Sequence, residues 1–144
     1  MTKSSKKVIF FKVEKPFQKI ERIVNVSKYH FVKNHLLIFF VPNKNIATYL
    51  DDLLWKTPKM SFLPHSIIED KLSSDNIIIT TNKSLLSSSQ EKLAYVFNLC
   101  SAPLMIDAFR AIYEFEDKTD PGKYQKSQDR YKAYKDKKLS IESY

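Results

Sequence analysis

Leu36-Leu37-Ile38-Phe39-Phe40-Val41-Pro42-Asn43 is the stretch whose reading decides the fold. From Leu36 to Val41 there is no polar residue. Both sides of such a segment must be covered, as happens to a strand in a sheet with helices on both faces. Pro42 stops the strand, and Asn43 is placed to cap a following helix. In that helix Ile46, Tyr49, Leu50, Leu53 and Leu54 recur at i, i+3, i+4, i+7 and i+8, the spacing of one helical face. It is expected to end by Lys56, because Pro58 pushes Thr57 out of the helical region.

The same alternation continues outward. On the N-terminal side, Val8-Ile9-Phe10-Phe11-Lys12-Val13 reads as another buried strand. Pro16 then opens a helical pattern with Phe17, Ile20, Val24 and Phe31 on one face and Ile23 beside them. On the C-terminal side, Ser73-Ser74-Asp75 marks a turn and Asn76 to Thr81 is a β-branched third strand. Ser84 to Gln90 is serine-rich and loop-like. Leu93 to Leu99 reads as a fourth strand, although periodicity alone leaves a helix open. Ser101 and Pro103 stand where an N-cap and an early helical proline belong, which predicts a helix with Met105, Phe109 and Ile112 facing inward. Asp117 to Lys123 breaks it, a last helix runs from about Lys123 to Lys137, and Ser140 to Tyr144 is a tail. Strands apolar on both faces, alternating with helices, predict one three-layer α/β domain over 1–144 with a largely parallel sheet. Residues 1–7 and 139–144 are expected to fray.

A hydrophobic content of 43% with 13% aromatics supplies a core and excludes disorder as the default. The formal charge of +8 suits acidic partners, whether nucleic acid, acidic peptide or anionic lipid, and equally a lysine-rich solvated surface. Cys100 is the single cysteine, so no intramolecular disulfide and no cysteine-built metal site is expected. The apolar run after the basic N-terminus is broken by Lys12, too short for a signal peptide, and no stretch approaches the roughly 20 residues of a membrane span. A soluble cytoplasmic protein is the expectation.

Catalytic chemistry is hard to find. A sheet of this kind binds ligands in the loops at the carboxyl ends of its strands. Phosphate cradling there needs glycines, so that backbone amides can approach the anion. The first strand exits through Glu14-Lys15-Pro16 and the second through Pro42-Asn43-Lys44, and the only glycine is Gly122. No nucleotide-binding loop, cofactor or metal is therefore expected. His30 falls near a helix end, where a cation favours the dipole, and His65 is placed to hydrogen-bond locally and fix its loop. Asp51 and Asp52 stand about 100° apart on a helix and do not form an acid/base pair. Cys100, ending an apolar strand, reads as a small buried hydrophobe. The expectation is a protein that is not an enzyme.

The last helix is different. With Tyr131 at zero on a 100° wheel, Tyr124, Gln128, Tyr134, Lys135 and Lys138 fall within about 60° of it. Lys132 and Gln125 flank one side, and Lys126, Arg130 and Lys137 the other. An aromatic stripe edged with cations suits a peptide that ends in an aromatic side chain and a free carboxylate. It also suits single-stranded nucleic acid. Residues 117–144, however, interleave eight basic side chains with five acidic ones (Asp117, Asp120, Asp129, Asp136 and Glu142), a poor phosphate-tracking groove. The bland alternative is that the tyrosines pack on the sheet and the lysines are merely solvated.

Two motifs carry a family resemblance. Leu50-Asp51-Asp52-Leu53-Leu54-Trp55, a spacer, and Ser61-Phe62-Leu63-Pro64-His65 resemble the chi subunit of the bacterial DNA polymerase III clamp-loader assembly. Asp129-Arg130-Tyr131-Lys132-Ala133-Tyr134 matches that family's Arg-Tyr-Lys-x-Tyr helix, in the right order and at about the right distance. The resemblance implies a Rossmann-like sheet without nucleotide and a non-catalytic adaptor of the replisome. It implies a psi-binding surface at Leu54, Trp55, Phe62, Leu63 and Pro64, which a helicase could also use. It further implies a receptor for the acidic C-terminal tail of single-stranded DNA-binding protein at Tyr124, Gln128, Arg130, Tyr131, Lys132, Tyr134 and Lys135. Gln128 and Tyr124 stand where the family pattern calls for cations, with Lys135 and Lys123 as substitutes. Contact with DNA would then be mostly indirect. The alternative is a module that binds single-stranded DNA or RNA directly through the tyrosine-rich helix.

Overall fold

A computed structural model describes residues 6–56, 63–70, 75–87 and 93–144. The elements in chain order are β1 (Lys7–Val13), α1 (Pro16–Val32), β2 (Leu37–Phe40), α2 (Lys44–Lys56), β3 (His65–Ile67), β4 (Ile77–Thr80), a short 3-10 turn (Lys83–Ser87), β5 (Tyr95–Asn98), β6 (Ala111–Asp117), α3 (Pro121–Asp136) and β7 (Ser140–Ser143). The strands form one sheet in the order β3-β4-β2-β5-β6-β1-β7, and every pairing among the described strands is parallel. Leu37–Phe40 lies near its centre, paired with β4 on one side and β5 on the other. No helix among the described residues is long and apolar enough to cross a membrane.

Alternation along the strands builds two cores. One face of the sheet gathers Phe11 and Val13 of β1, Leu37 and Phe39 of β2, and Tyr113 and Phe115 of β6 under α1 and α2. The other gathers Phe10, Ile38, Ile78, Val96 and Ile112 under α3, the 3-10 turn and the segment 99–110. Each fully buried side chain of this size contributes about 1.5–3 kcal/mol of transfer free energy. This is a three-layer, Rossmann-like α/β arrangement. The helix starts are set locally. Asn43 Oδ1 accepts from the Ile46 amide (2.9 Å) and Asp120 Oδ2 from the Lys123 amide (3.1 Å), while Pro16 and Pro121 open α1 and α3.

Three expectations are corrected. The predicted helix after Ser101 does not form: Ala111–Asp117 is an interior strand between β5 and β1, and 99–110 crosses to it without a helix. Ser140–Ser143 is not a frayed tail but the edge strand β7, paired with β1 from Lys7 onward. His65–Ile67 is the opposite edge strand. The inner face of α1 is Ile23, Val24, Val26, Ser27 and His30, about 70° around the helix from the predicted stripe. Phe17 and Phe31 are therefore exposed. Two buried polar residues, Ser27 and His30, displaced the face from the one that hydrophobicity marks.

Candidate functional site

At the β3 edge, α2 turns Leu54 into the core and Trp55 outward. Leu54 is fully buried, whereas Trp55 is 46% exposed. The exposed indole lies over the His65 imidazole with ring centroids 4.1 Å apart. His65 donates its Nδ1 proton to the Leu63 carbonyl (2.7 Å), the local hydrogen bond expected of it. Its buried Nε2 then faces Asp51 Oδ1 at 3.4 Å, outside good hydrogen-bonding geometry. Leu63 is half-buried against the core and Pro64 is exposed. Phe62 and the rest of 57–62 lie outside the described residues. Thus Trp55 and Pro64 are exposed at this edge, whereas Leu54 and Leu63 belong to the core cluster.

On the other side of the sheet, the stripe of α3 divides in two. The buried face of the helix is Ser127, Arg130 and Tyr134, so Tyr131 stands at its margin rather than at the centre of an open face. Tyr131 is 40% exposed, with its ring 5.5 Å from that of Phe10. Tyr124, Gln128 and Tyr131, with Phe10, Glu116 and Ser143, line a cleft of about 280 Å³ between α3 and the strands β6, β1 and β7. Lys132 and Lys135 are exposed, one turn beyond Gln128 and Tyr131 respectively. The Lys118 ammonium sits 5.6 Å from the Tyr124 ring centroid and 3.9 Å from the Glu116 carboxylate. Sequence reasoning missed Phe10, Glu116 and Ser143. Phe10 was legible as a strand residue, but its neighbours in the cleft come from β6 and β7, the strands read as helix and tail.

Arg130 and Tyr134, expected on the receptor face, are instead buried structural residues. The Arg130 guanidinium donates through Nε to Glu114 Oε1 (2.8 Å), through Nη1 to the Ser101 carbonyl (3.1 Å) and through Nη2 to the Phe115 carbonyl (3.1 Å). The Tyr134 hydroxyl donates to Glu114 Oε2 (2.5 Å) and accepts from the Leu104 amide (2.8 Å). Asn98 Nδ2 donates to the same Oε2 (2.7 Å). Burial pushes the Glu114 carboxyl up to about 7, against the pull of Arg130, Tyr134 and Asn98. This network fastens α3 to β5, β6 and the 99–110 segment.

A second buried cluster closes α1. His30 is fully buried, with Nδ1 2.9 Å from His35 Nδ1 and Nε2 2.6 Å from the Tyr113 hydroxyl. Burial, followed by the neighbouring His35, lowers its pKa to about 4. The structural role expected of His30 is met, but as a neutral imidazole rather than a cation on the helix dipole. Cys100 is half-buried, and burial raises its thiol to about 11, so it stays protonated at neutral pH.

The model of one protein family, the DNA polymerase III chi subunit, HolC, matches residues 6–142 of the chain. None of the curated proteins matches it significantly.

Proposed function

The chain belongs to the family of DNA polymerase III chi subunits, and on that premise we propose that it is a non-catalytic adaptor of the replisome. One surface docks on the psi subunit of the clamp loader, and the other receives the acidic C-terminal tail of single-stranded DNA-binding protein. The observation that carries the second half is the cleft beside Tyr131. It offers two tyrosine rings and a phenylalanine ring to an aromatic side chain. Lys132 and Lys135 follow one turn along α3, where a terminal carboxylate can pair with an ammonium. Tyr124, Gln128 and Tyr131 are the packing residues of this proposal, and Lys132 and Lys135 its cations. Arg130 and Tyr134 serve it by holding the helix. The first half rests on Trp55 and Pro64, an exposed aromatic and proline on a braced edge, with Phe62 of the same motif.

The test is calorimetric titration with an acidic peptide ending in Pro-Phe-carboxylate, beside the same peptide amidated at its C-terminus. Micromolar binding, about −8 kcal/mol, is expected. It should be lost on amidation and weakened by Tyr131→Ala or Lys132→Glu. No peptide binding, with salt-sensitive binding of a single-stranded oligonucleotide instead, would replace the adaptor reading with direct nucleic-acid binding.

A further inference from the structure

A second and larger groove lies where the sheet's carboxyl end meets all three helices, away from both proposed docking surfaces. Its volume is about 540 Å³, inside the roughly 300–1,000 Å³ range of pockets that enclose a ligand. The first two turns of α1 supply Ile20, and α2 supplies Ile46, Tyr49 and Leu53. Ile46 is 38% and Tyr49 61% exposed, neighbouring apolar side chains on the groove's rim. On the α2 wheel these residues lie on the flank facing α1, and Trp55 on the opposite flank about 180° from Ile46. The first turns of α3 add Lys123 and Lys126 on the side of that helix away from the Tyr124–Tyr131 cleft. Neither ammonium makes an ion pair with a carboxylate among the described residues. The one carboxylate in the lining, Asp117, is already bound to Lys19 at 2.6 Å and held below its usual range: burial alone would raise it, and the Lys19 and Thr119 hydrogen bonds outweigh that.

We propose that this groove is a third docking site, for a short acidic segment of a partner protein. The segment would bring two apolar side chains to the Ile20–Ile46–Tyr49–Leu53 wall and carboxylates to Lys123 and Lys126. The charge on the rim selects an acidic occupant. A second copy of this chain is disfavoured, because it brings the same formal charge of +8. Nucleic acid is disfavoured by the wall. Base stacking needs exposed aromatic platforms; of the aromatic residues in the lining, Tyr49 and Phe115, the second is buried, and the Asp117 carboxylate lines the groove beside them. A nucleotide is disfavoured by the loops, since the carboxyl-end connections hold a single glycine, Gly122 in the first turn of α3, where a phosphate cradle needs several. From Ile46 to Leu53 the wall runs about 10 Å, enough for two turns of a docked helix or about three extended residues. Such a segment needs no free terminus, which separates this site chemically from the proposed tail receptor.

The experiment is a selection of short random peptides displayed with both ends fused, against the whole chain. The strongest peptide is then titrated calorimetrically as its N-acetylated, C-amidated form. Enrichment of acidic sequences with two apolar residues is expected, with a micromolar dissociation constant. Tyr49→Glu and Lys126→Glu, both at exposed positions that leave the fold intact, should each weaken binding at least about tenfold. Tyr131→Ala and Trp55→Ala should leave it unchanged. The same peptide with lysine in place of each acidic residue should not bind. Any of four results would overturn the site: no acidic enrichment, equal binding of the charge-reversed peptide, indifference to both groove variants, or displacement of the peptide by oligothymidylate. Binding that falls with Tyr131→Ala would overturn it too, while leaving the tail receptor standing.

Discussion

Arg130→Met separates two roles for this side chain, ligand cation or internal fastening, by a stability measurement with no ligand present. In the folded chain the guanidinium makes three of its contacts with groups that are themselves buried, Glu114, Phe115 and Ser127. Methionine keeps much of the volume and removes the charge, leaving Glu114 without its cation. Breaking a buried pair in this way costs about 3–5 kcal/mol. The cost must also depend on pH. The carboxyl already sits at about 7 with Arg130 in place, and losing the cation raises it further. A raised folded-state value gives stability that is fully present below the unfolded pKa, near 4.5, and is lost as pH rises through the folded value. The variant suffers more of this loss than the parent. Its destabilisation should therefore be largest near pH 8 and smaller by about 1–2 kcal/mol near pH 5, where Glu114 is neutral. Urea unfolding at both pH values, followed by far-ultraviolet circular dichroism, reads the difference. Glu114→Gln combined with Arg130→Met should recover part of the loss. A cost below about 1 kcal/mol at both pH values, as for a surface pair, would refute the buried-fastening account.

His30 is held neutral, at about 4 against an ordinary 6.5, so its contribution is complete above pH 6.5 and lost as pH falls towards 4. That gap is worth about 3 kcal/mol; His30→Gln should flatten the acid limb of the stability curve, and parallel curves for parent and variant would refute it. Lys138 adopts φ 65°, the left-handed position just past α3 that glycine prefers, so Lys138→Gly should raise stability by about 0.5–1 kcal/mol in thermal unfolding. Asp120→Ala removes the α3 cap and should cost about 1 kcal/mol by the same assay. Occupying the Trp55 edge should change the affinity of the tail peptide by less than about twofold in paired titrations; a tenfold change would mean the two surfaces are coupled.

The parts of the fold that sequence reading found are those where hydrophobicity alone dictates the element. β1, β2, β4 and β5 are apolar on both faces, and α2 follows a recognisable cap, Asn43. β6 was misread because its centre, Tyr113-Glu114-Phe115, holds a carboxylate where an interior strand calls for an apolar residue. Glu114 is tolerable only through Arg130, 16 residues further on, a pairing invisible to local periodicity. Met105, Phe109 and Ile112 happened to fall at helical spacing and supplied a false alternative. The two edge strands are short and half polar, so their pairing comes from register with β4 and β1 rather than from composition. The same partner explains the candidate site. A helical wheel placed Arg130 and Tyr134 on the stripe because it cannot show that Glu114 and the Leu104 amide draw both side chains inward.

A parallel sheet seven strands wide can serve as a rigid spacer. The Trp55 surface is braced on β3, and the Tyr131 cleft opens beside β7, the two ends of the strand order. Six inter-strand gaps of about 4.8 Å put these edges roughly 29 Å apart. That exceeds the screening length of about 8 Å at physiological salt, so charges on a partner at one edge are scarcely felt at the other. Steric interference is also avoided, because α2 and α3 lie on opposite faces of the sheet. Each helix buries one face and exposes two flanks. The inner flanks, Tyr49 on α2 and Lys126 on α3, meet at the carboxyl-end groove, and the outer flanks carry Trp55 and Tyr131. The proposed adaptor role needs sites that bind without competing, and the sheet's width would set the spacing between the Trp55 edge and the Tyr131 cleft.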